Sequence, residues 1–546
     1  MLTADPDADL EHALVEWRRF RRRKRLVDIH WVDALYQAYV TALISAVTVA
    51  VVAGLVSGDA LDAAAVDRLM RNAAAWLGVA AAAAIAVGVR SGSRGGPLAL
   101  ERADVRHVLL APVDRTTALR APAVRQLRFL AFVAVVAGAI AGDLAAQRLP
   151  GSIAAWLASG ALFTVTCVAL GYGAALVANG IRLPRWAGTG LGVVLLTVAV
   201  LDATDIVPVS PTAAVGRIAL WPITFSAIGL AAIATAIALL AVGLQLVGNV
   251  SLEAAERRST LVGQLRFAAT MQDLRTVIVL RRQLAMELPR LRPWVKLSSS
   301  PGLRLPVFGR GLRGVLRWPA ARVARTAMLA AVAGVALRGA WAGTVPLVVP
   351  AGFAMFLVGL DAIEAVSQEA DHPSRRDSAP VDPGALNVRH LPIAVLVAIT
   401  SSVLAAVAAA LPGPGQVPVE VAAVIAVPLA LGGVGGALVS VLGGATVVQG
   451  ESWNLLPPEV AGMRLALRST WPPTIAIVGA LPVLAARAGF RNGESGSAAA
   501  AAATAGVLAL FALVCAWVRM RERLHEWWRA QMQAAFPQKK EEPADA

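Results

Sequence analysis

Charge is scarce in this sequence. Only 16% of its 546 residues are Asp, Glu, Lys or Arg, while 57% are hydrophobic; a soluble chain carries about 25% charged residues. The shortage excludes an ordinary water-soluble domain. Cysteine is nearly missing: Cys167 and Cys515 are the only two, both inside apolar runs. That excludes a disulfide framework and a cysteine-based metal site. Lysine is confined to Lys24, Lys296, Lys539 and Lys540, and none follows a glycine. A phosphate-binding loop needs Gly-Lys-Ser/Thr, so that backbone amides wrap the phosphates and Lys neutralises them. No ATP hydrolysis by that mechanism is expected of this chain alone. The histidines are His12, His30, His107, His372, His390 and His525, with no HExxH or other metal-ligand spacing. A GxSxG elbow and an aspartate-rich diphosphate cluster are also missing. The sequence therefore predicts no catalytic residue, no metal and no cofactor held by this chain. No secretory signal is expected either, because the first 30 residues are charged throughout and the first apolar run is too long for an h-region.

Long charge-free runs are what the chain has instead, recurring from Trp31 to Val518. Its mean hydropathy is +0.65. About 18 apolar residues suffice to cross the hydrocarbon core as a helix. The expected fold class is all-α: a polytopic helical membrane protein with about twelve transmembrane helices. Their approximate limits are 32–56, 73–90, 128–145, 153–178, 186–206, 223–248, 322–338, 341–360, 392–411, 418–448, 471–488 and 500–518. The run Gly432-Gly433-Val434-Gly435-Gly436 admits either a close helix contact or a break in the helix.

The net charge is +15. In a soluble protein that would suggest nucleic acid. Here the arginines gather at the termini and in a few inter-span loops, the positive-inside pattern, so no nucleic-acid partner is expected. "RRFRRRKR" at 18–25 places the N-terminus in the cytoplasm, and an even number of spans returns the C-terminus, with "RMRERLHEWWR" at 519–529, to the same side. The organisation predicted is a cytoplasmic amphipathic elbow helix (1–31), a first six-helix half (32–248), a basic cytoplasmic linker (249–321), a second six-helix half (322–518) and a cytoplasmic tail (519–546). Localisation to the plasma membrane, multi-pass with both termini cytoplasmic, follows from this reading.

Ala111-Pro112-Val113-Asp114 recurs as Ala379-Pro380-Val381-Asp382. Each copy lies in a cytoplasmic loop after the second span of its half. Val124-Arg125-Gln126-Leu127 follows the first copy and Val388-Arg389-His390-Leu391 the second, each leading into a span. Matched motifs at matched places point to a duplication. Six spans per half would give the two halves one orientation, related by an axis along the membrane normal.

Three cytoplasmic stretches look amphipathic. Leu10 to Ile29 mixes Leu and Trp17 with dense Arg and suits headgroup depth. In the first motif loop, Asp104 can cap a helix over 103–111, with Val105, Val108 and Leu109 on one apolar face and Pro112 ending it. Such a face suits docking into a partner's groove, or packing on the membrane or on the protein's own loops. Residues 269–297 read as a long amphipathic helix, an interface helix or a partner contact. The acids at possible membrane depth, Asp143, Asp202, Asp205, Asp361 and Glu364, all lie near span ends, where water is within reach.

"GGPLALERADVRHVLLAPVDR" (95–115) resembles the first cytoplasmic loop of actinobacterial ABC-2-type exporter permeases. "MQDLRTVIVLRRQL" (271–284) is similar to the helix after the first bundle in the large, fused, two-half members of that family. The resemblance implies an exporter permease subunit energised by a separate cytoplasmic ATPase dimer, which holds the ATP and Mg while this chain holds none. Membrane lipids are the other expected partners. The implied docking residues are Asp104, Val105, Val108, Leu109, Pro112, Asp114 and Arg115, with Asp371, Arg375, Pro380 and Asp382 as a second contact. The second loop departs from the pattern: it lacks the Val-x-x-Leu-Leu face and carries more charge. The alternatives are an ion-coupled secondary transporter that depends on Asp143 or Asp202, and a membrane scaffold without flux.

Overall fold

A computed structural model of the chain describes residues 63–93, 114–206, 210–250, 306–372, 380–412, 415–444 and 470–535 continuously, and isolated positions elsewhere. The chain is an all-α, multi-pass membrane protein. Among the described residues eleven helices are long and apolar enough to cross a bilayer. The expected span at 32–56 (save Gly54), the amphipathic stretch at 10–29 (save Glu16, Arg19 and Phe20) and nearly all of 269–297 lie outside the described residues. The chain divides into two compact units, Met1–Phe267 and Ala268–Ala546.

The first unit contains α1 (Ala63–Gly92), α2 (Arg115–Ala146), α3 (Ile153–Gly180), α4 (Arg185–Ala203), the short α5 (Ala213–Ala219) and α6 (Ile228–Gln245). Helix α3 is central and touches α1, α2 and α6, while α4 lies against α1. The second unit contains α7 (Pro306–Val315), α8 (Ala320–Trp341), α9 (Val348–Ala362), α10 (Glu364–Asp371), α11 (Pro383–Ala410) and α12 (Val419–Gly444). It ends with a span over Thr470–Arg491, whose last part is α13 (Pro482–Arg491), and with α14 (Gly496–Ala535). Here α12 is central and touches α9, α11 and α14. Its hydrophobic window is 83% buried, against 17–56% for the other spans, so it meets protein rather than lipid on nearly every side.

The two central crossings share one geometry. A Cβ on Gly88 of α1 would strike the Gly171 carbonyl oxygen of α3, and one on Gly171 would lie 2.7 Å from the Ala84 oxygen. In the second unit a Cβ on Gly359 of α9 would strike the Gly433 oxygen of α12, and one on Gly433 would lie 2.6 Å from the Met355 oxygen. In each pair the second contact falls one helical turn before the first glycine. Lipid tails are as apolar as the helices, so association relies on close van der Waals approach, which only small residues permit. The glycine run at 432–436 is thus a close contact within an unbroken helix.

Several boundaries differ from expectation, and α1 already begins at Ala63 rather than near 73. Helix α2 begins at Arg115 rather than near 128, and α11 at Pro383 rather than near 392. Hydropathy marks where a helix meets lipid, not where it starts. At 32 residues, α2 is about 48 Å long, well beyond a core of about 30 Å. The last helix likewise continues through 519–535, where a tail was expected. The span at 470–491 turns at Leu481, because Pro482 has no N–H to continue the ladder.

Candidate functional site at the bases of the third spans

Both motif loops end the same way. Asp114 N-caps α2 with φ −55° and ψ 122°, and its Oδ2 accepts from Thr117 N at 2.8 Å and from Thr117 Oγ1 at 2.9 Å. Asp382 N-caps α11 with φ −51° and ψ 130°, and its Oδ2 accepts from Ala385 N at 3.1 Å. A side-chain oxygen here satisfies an amide that has no partner in the first helical turn. The hydrogen bonds from the Thr117 amide and hydroxyl hold the Asp114 carboxyl below its ordinary value. Each helix then admits a proline in its early turns, Pro122 and Pro392.

The apolar face of the first loop points inward. Val105 and Leu109 are buried, at 2% and 6% exposure. They join Leu98, Leu100, Leu119, Tyr172 and Val247 in one core. Tyr172 Oη donates to Ala123 O at 3.1 Å, and Gln126 Nε2 donates to Pro97 O at 2.8 Å. This corrects the expectation of an exposed docking face: burying two large aliphatic side chains against the unit's own helices outweighs leaving them in water. Asp104, Val108 and Pro112 lie outside the described residues. Arg115 is exposed in the first turn of α2.

In the second loop Asp371 ends α10 and its Oδ2 lies 3.4 Å from Ser367 Oγ. Pro380 and Asp382 are exposed, and Arg375 lies outside the described residues. Arg376 pairs with Glu522 of α14 at 2.6 Å. The loop is thereby tied to the last helix.

The acids near span ends fall into two groups. Asp361 and Glu364 are partnered: Arg325 pairs with Asp361, Arg322 with Glu364, and Arg322 also donates to the Asp361 carbonyl at 2.7 Å. Trp318 stacks on the Arg322 guanidinium at 4.0 Å. The spacing is legible in hindsight, since an Arg-x-x-Arg at one span end faces an Asp-x-x-Glu at the next, and i,i+3 residues share a helix face. Asp205 accepts from Asn72 Nδ2 at 2.6 Å. Asp143 and Asp202, by contrast, are buried, and each keeps one carboxylate oxygen without a hydrogen-bond partner among the described residues.

Sequence reasoning missed one cluster. His390 of the second VRxL motif occupies the place of Gln126 and is buried beside Glu369 of α10, Nε2 to Oε1 3.9 Å. Arg310 of α7 lies 3.8 Å from the same oxygen. The only sequence signal was the Gln-to-His exchange between two otherwise matched tetrapeptides. Among the described residues no group of three His, Cys, Asp or Glu side chains is placed to hold a metal. Comparison with family models, curated proteins and solved structures finds no match.

Proposed function

We propose that the chain is the membrane-spanning permease subunit of an ABC-2-type exporter in the plasma membrane, built from two duplicated six-span halves and energised by a separate ATPase dimer on the cytoplasmic face. One observation carries the reading. In each unit the loop after the second span ends in the same Asp N-cap, on the same backbone conformation, and opens a long third span. The glycine crossing of second and fourth spans also repeats in register. A duplicated chain offers two such loops to the two subunits of an ATPase dimer.

Burial of Val105 and Leu109 changes how the first loop would act. Its described residues Leu98, Leu100, Val105 and Leu109 pack on α2, α3 and the 247–250 segment, so it serves as a platform rather than a free plug. A push delivered at its surface passes to the whole unit. Asp114 and Arg115 in the first loop, and Pro380 and Asp382 in the second, are the expected residues exposed for contact. Leu109→Asp would disrupt the loop core and so tests folding, not docking.

The test uses the full chain co-expressed with the ATPase carrying the Walker motifs. Arg115→Glu should lower the ATPase recovered with the tagged permease by about tenfold, the weight of one well-placed charged contact, with unchanged membrane insertion. Full recovery of the ATPase with Arg115→Glu and with Pro380→Glu would sink the docking claim.

A second reading is an ion-coupled transporter, favoured by the two buried carboxylates Asp143 and Asp202, each with one oxygen unpartnered among the described residues. Intramembrane acids often mark ion paths. It predicts that proteoliposomes without any ATPase dissipate a proton gradient, and that Asp143→Asn or Asp202→Asn stops this.

A further inference from the structure

We propose that the turn joining α3 to α4, with the end of α1 beside it, holds the phosphate of an anionic membrane phospholipid through Arg182, Arg185 and Arg90. Helix α3 closes in a Schellman turn. The Arg182 amide donates to Asn179 O at 3.0 Å and the Leu183 amide to Ala178 O at 2.8 Å. Such a turn needs one left-handed residue, and Arg182 supplies it with φ 53°. Glycine adopts that conformation freely, whereas an arginine strains the backbone there. The side chain at this position therefore works against the turn that carries it. Its guanidinium is exposed and has no partner among the described residues. Membrane topology needs positive charge at span ends, but not on a left-handed residue.

Packing brings a third arginine to the same corner. Leu183 packs against Val89 and Ala178, and a Cβ on Gly188 of α4 would lie 2.9 Å from Ser93 Oγ. Arg90, near the end of α1, thereby reaches the first turn of α4. Its Nη1 donates to Thr189 Oγ1 at 3.0 Å, and that hydroxyl donates to Arg185 O at 2.9 Å. None of the three arginines pairs with a carboxylate among the described residues. Like charges gathered without a counter-ion repel one another, so the corner suits an anion. Guanidinium forks match phosphate oxygens in geometry as well as in charge.

The surroundings fix which anion. Ile181 and Trp186 flank the arginines and are 57% and 79% exposed, and the apolar span of α4 starts at Arg185. Exposed tryptophan beside arginine at a span end marks the headgroup level, where lipid phosphates gather. One turn further into the span comes a notch. Trp186, Gly190 and Val194 follow one another on one face of α4. Val194 is exposed, and nothing stands within 4 Å of a Cβ built on Gly190. The notch offers an acyl chain a seat directly below the phosphate. An acidic protein surface would meet the arginines but not the notch.

Native mass spectrometry tests this on the full chain released from nanodiscs of equal parts phosphatidylglycerol and phosphatidylcholine. Under rising collisional activation the complex with one phosphatidylglycerol should outlast that with one phosphatidylcholine. Arg182→Gln with Arg185→Gln should lower this preference about tenfold, the combined weight of two arginines at a lipid surface. Arg313→Gln with Arg317→Gln removes the same charge from exposed positions of the second unit and should leave it unchanged. Arg182→Gly separates binding from folding. It relieves the left-handed residue, so the unfolding temperature should not fall, yet the preference should weaken. Equal retention of the two lipids, or a preference that survives the Arg182 and Arg185 double substitution, overturns the proposal and leaves the corner to an acidic protein. An equal loss from the Arg313 and Arg317 substitution also overturns it, since bulk attraction alone would act that way. So does a lower unfolding temperature in Arg182→Gly, which would make the arginine structural.

Discussion

Asp114 and Asp382 hold the first turns of α2 and α11 through the same carboxylate-to-amide bond. Replacing either by Ala should cost ~1 kcal/mol, and by Asn much less, because Asn caps nearly as well. Circular dichroism during thermal unfolding of the purified protein reads the difference. The pH dependence has a definite sign at Asp114. Its carboxyl titrates below the ordinary value when folded, so the stabilisation is present above that ordinary value and is lost as pH falls through the folded one. The gap between the native protein and Asp114→Ala should be full at neutral pH and shrink in acid; a gap of constant size would remove the cap from the account. The motif itself was legible in the sequence, but its aspartate was read as a docking contact. Capping depends on which residue ends the loop, and hydropathy pointed to a later helix start.

The helices meet through residues that carry almost no side chain. Gly88→Leu and Gly359→Leu should each destabilise by at least ~1–3 kcal/mol, the usual cost of overpacking a filled interface. Gly190 and Gly506 lie on spans with nothing within 4 Å of a built Cβ, so Gly190→Leu and Gly506→Leu should leave stability unchanged. Thermal aggregation monitored by size-exclusion fluorescence compares the four, and equal loss in all of them would show that the crossings are not special. Apolar runs gave away the spans at this scale, because insertion depends on local hydrophobicity summed along about 18 residues. The Arg322–Glu364 and Arg325–Asp361 pairs were harder to see: each acid was read alone, and its partner lies some forty residues earlier.

For the whole molecule, the proposed parallel duplication predicts that both motif loops face the cytoplasm. Single cysteines at Arg115 and at Pro380, in a chain with Cys167 and Cys515 replaced by Ala, should both react with an impermeant maleimide from the cytoplasmic side only. Labelling from opposite sides would rule out the parallel arrangement, whatever the sequence similarity of the loops.

The sequence by itself determined that this is a multi-pass helical membrane protein and where most of its spans run. Those properties are local: each span needs only its own apolar residues, and the repeated motifs are contiguous. Only the tertiary structure decided what lies between the spans. It turned Val105 and Leu109 into the unit's own core, paired Asp361 and Glu364 while leaving an oxygen of Asp143 and of Asp202 unpartnered among the described residues, and set His390 beside Glu369 and Arg310. In each case the outcome depends on groups distant in the chain, which burial and charge select only after the helices have packed.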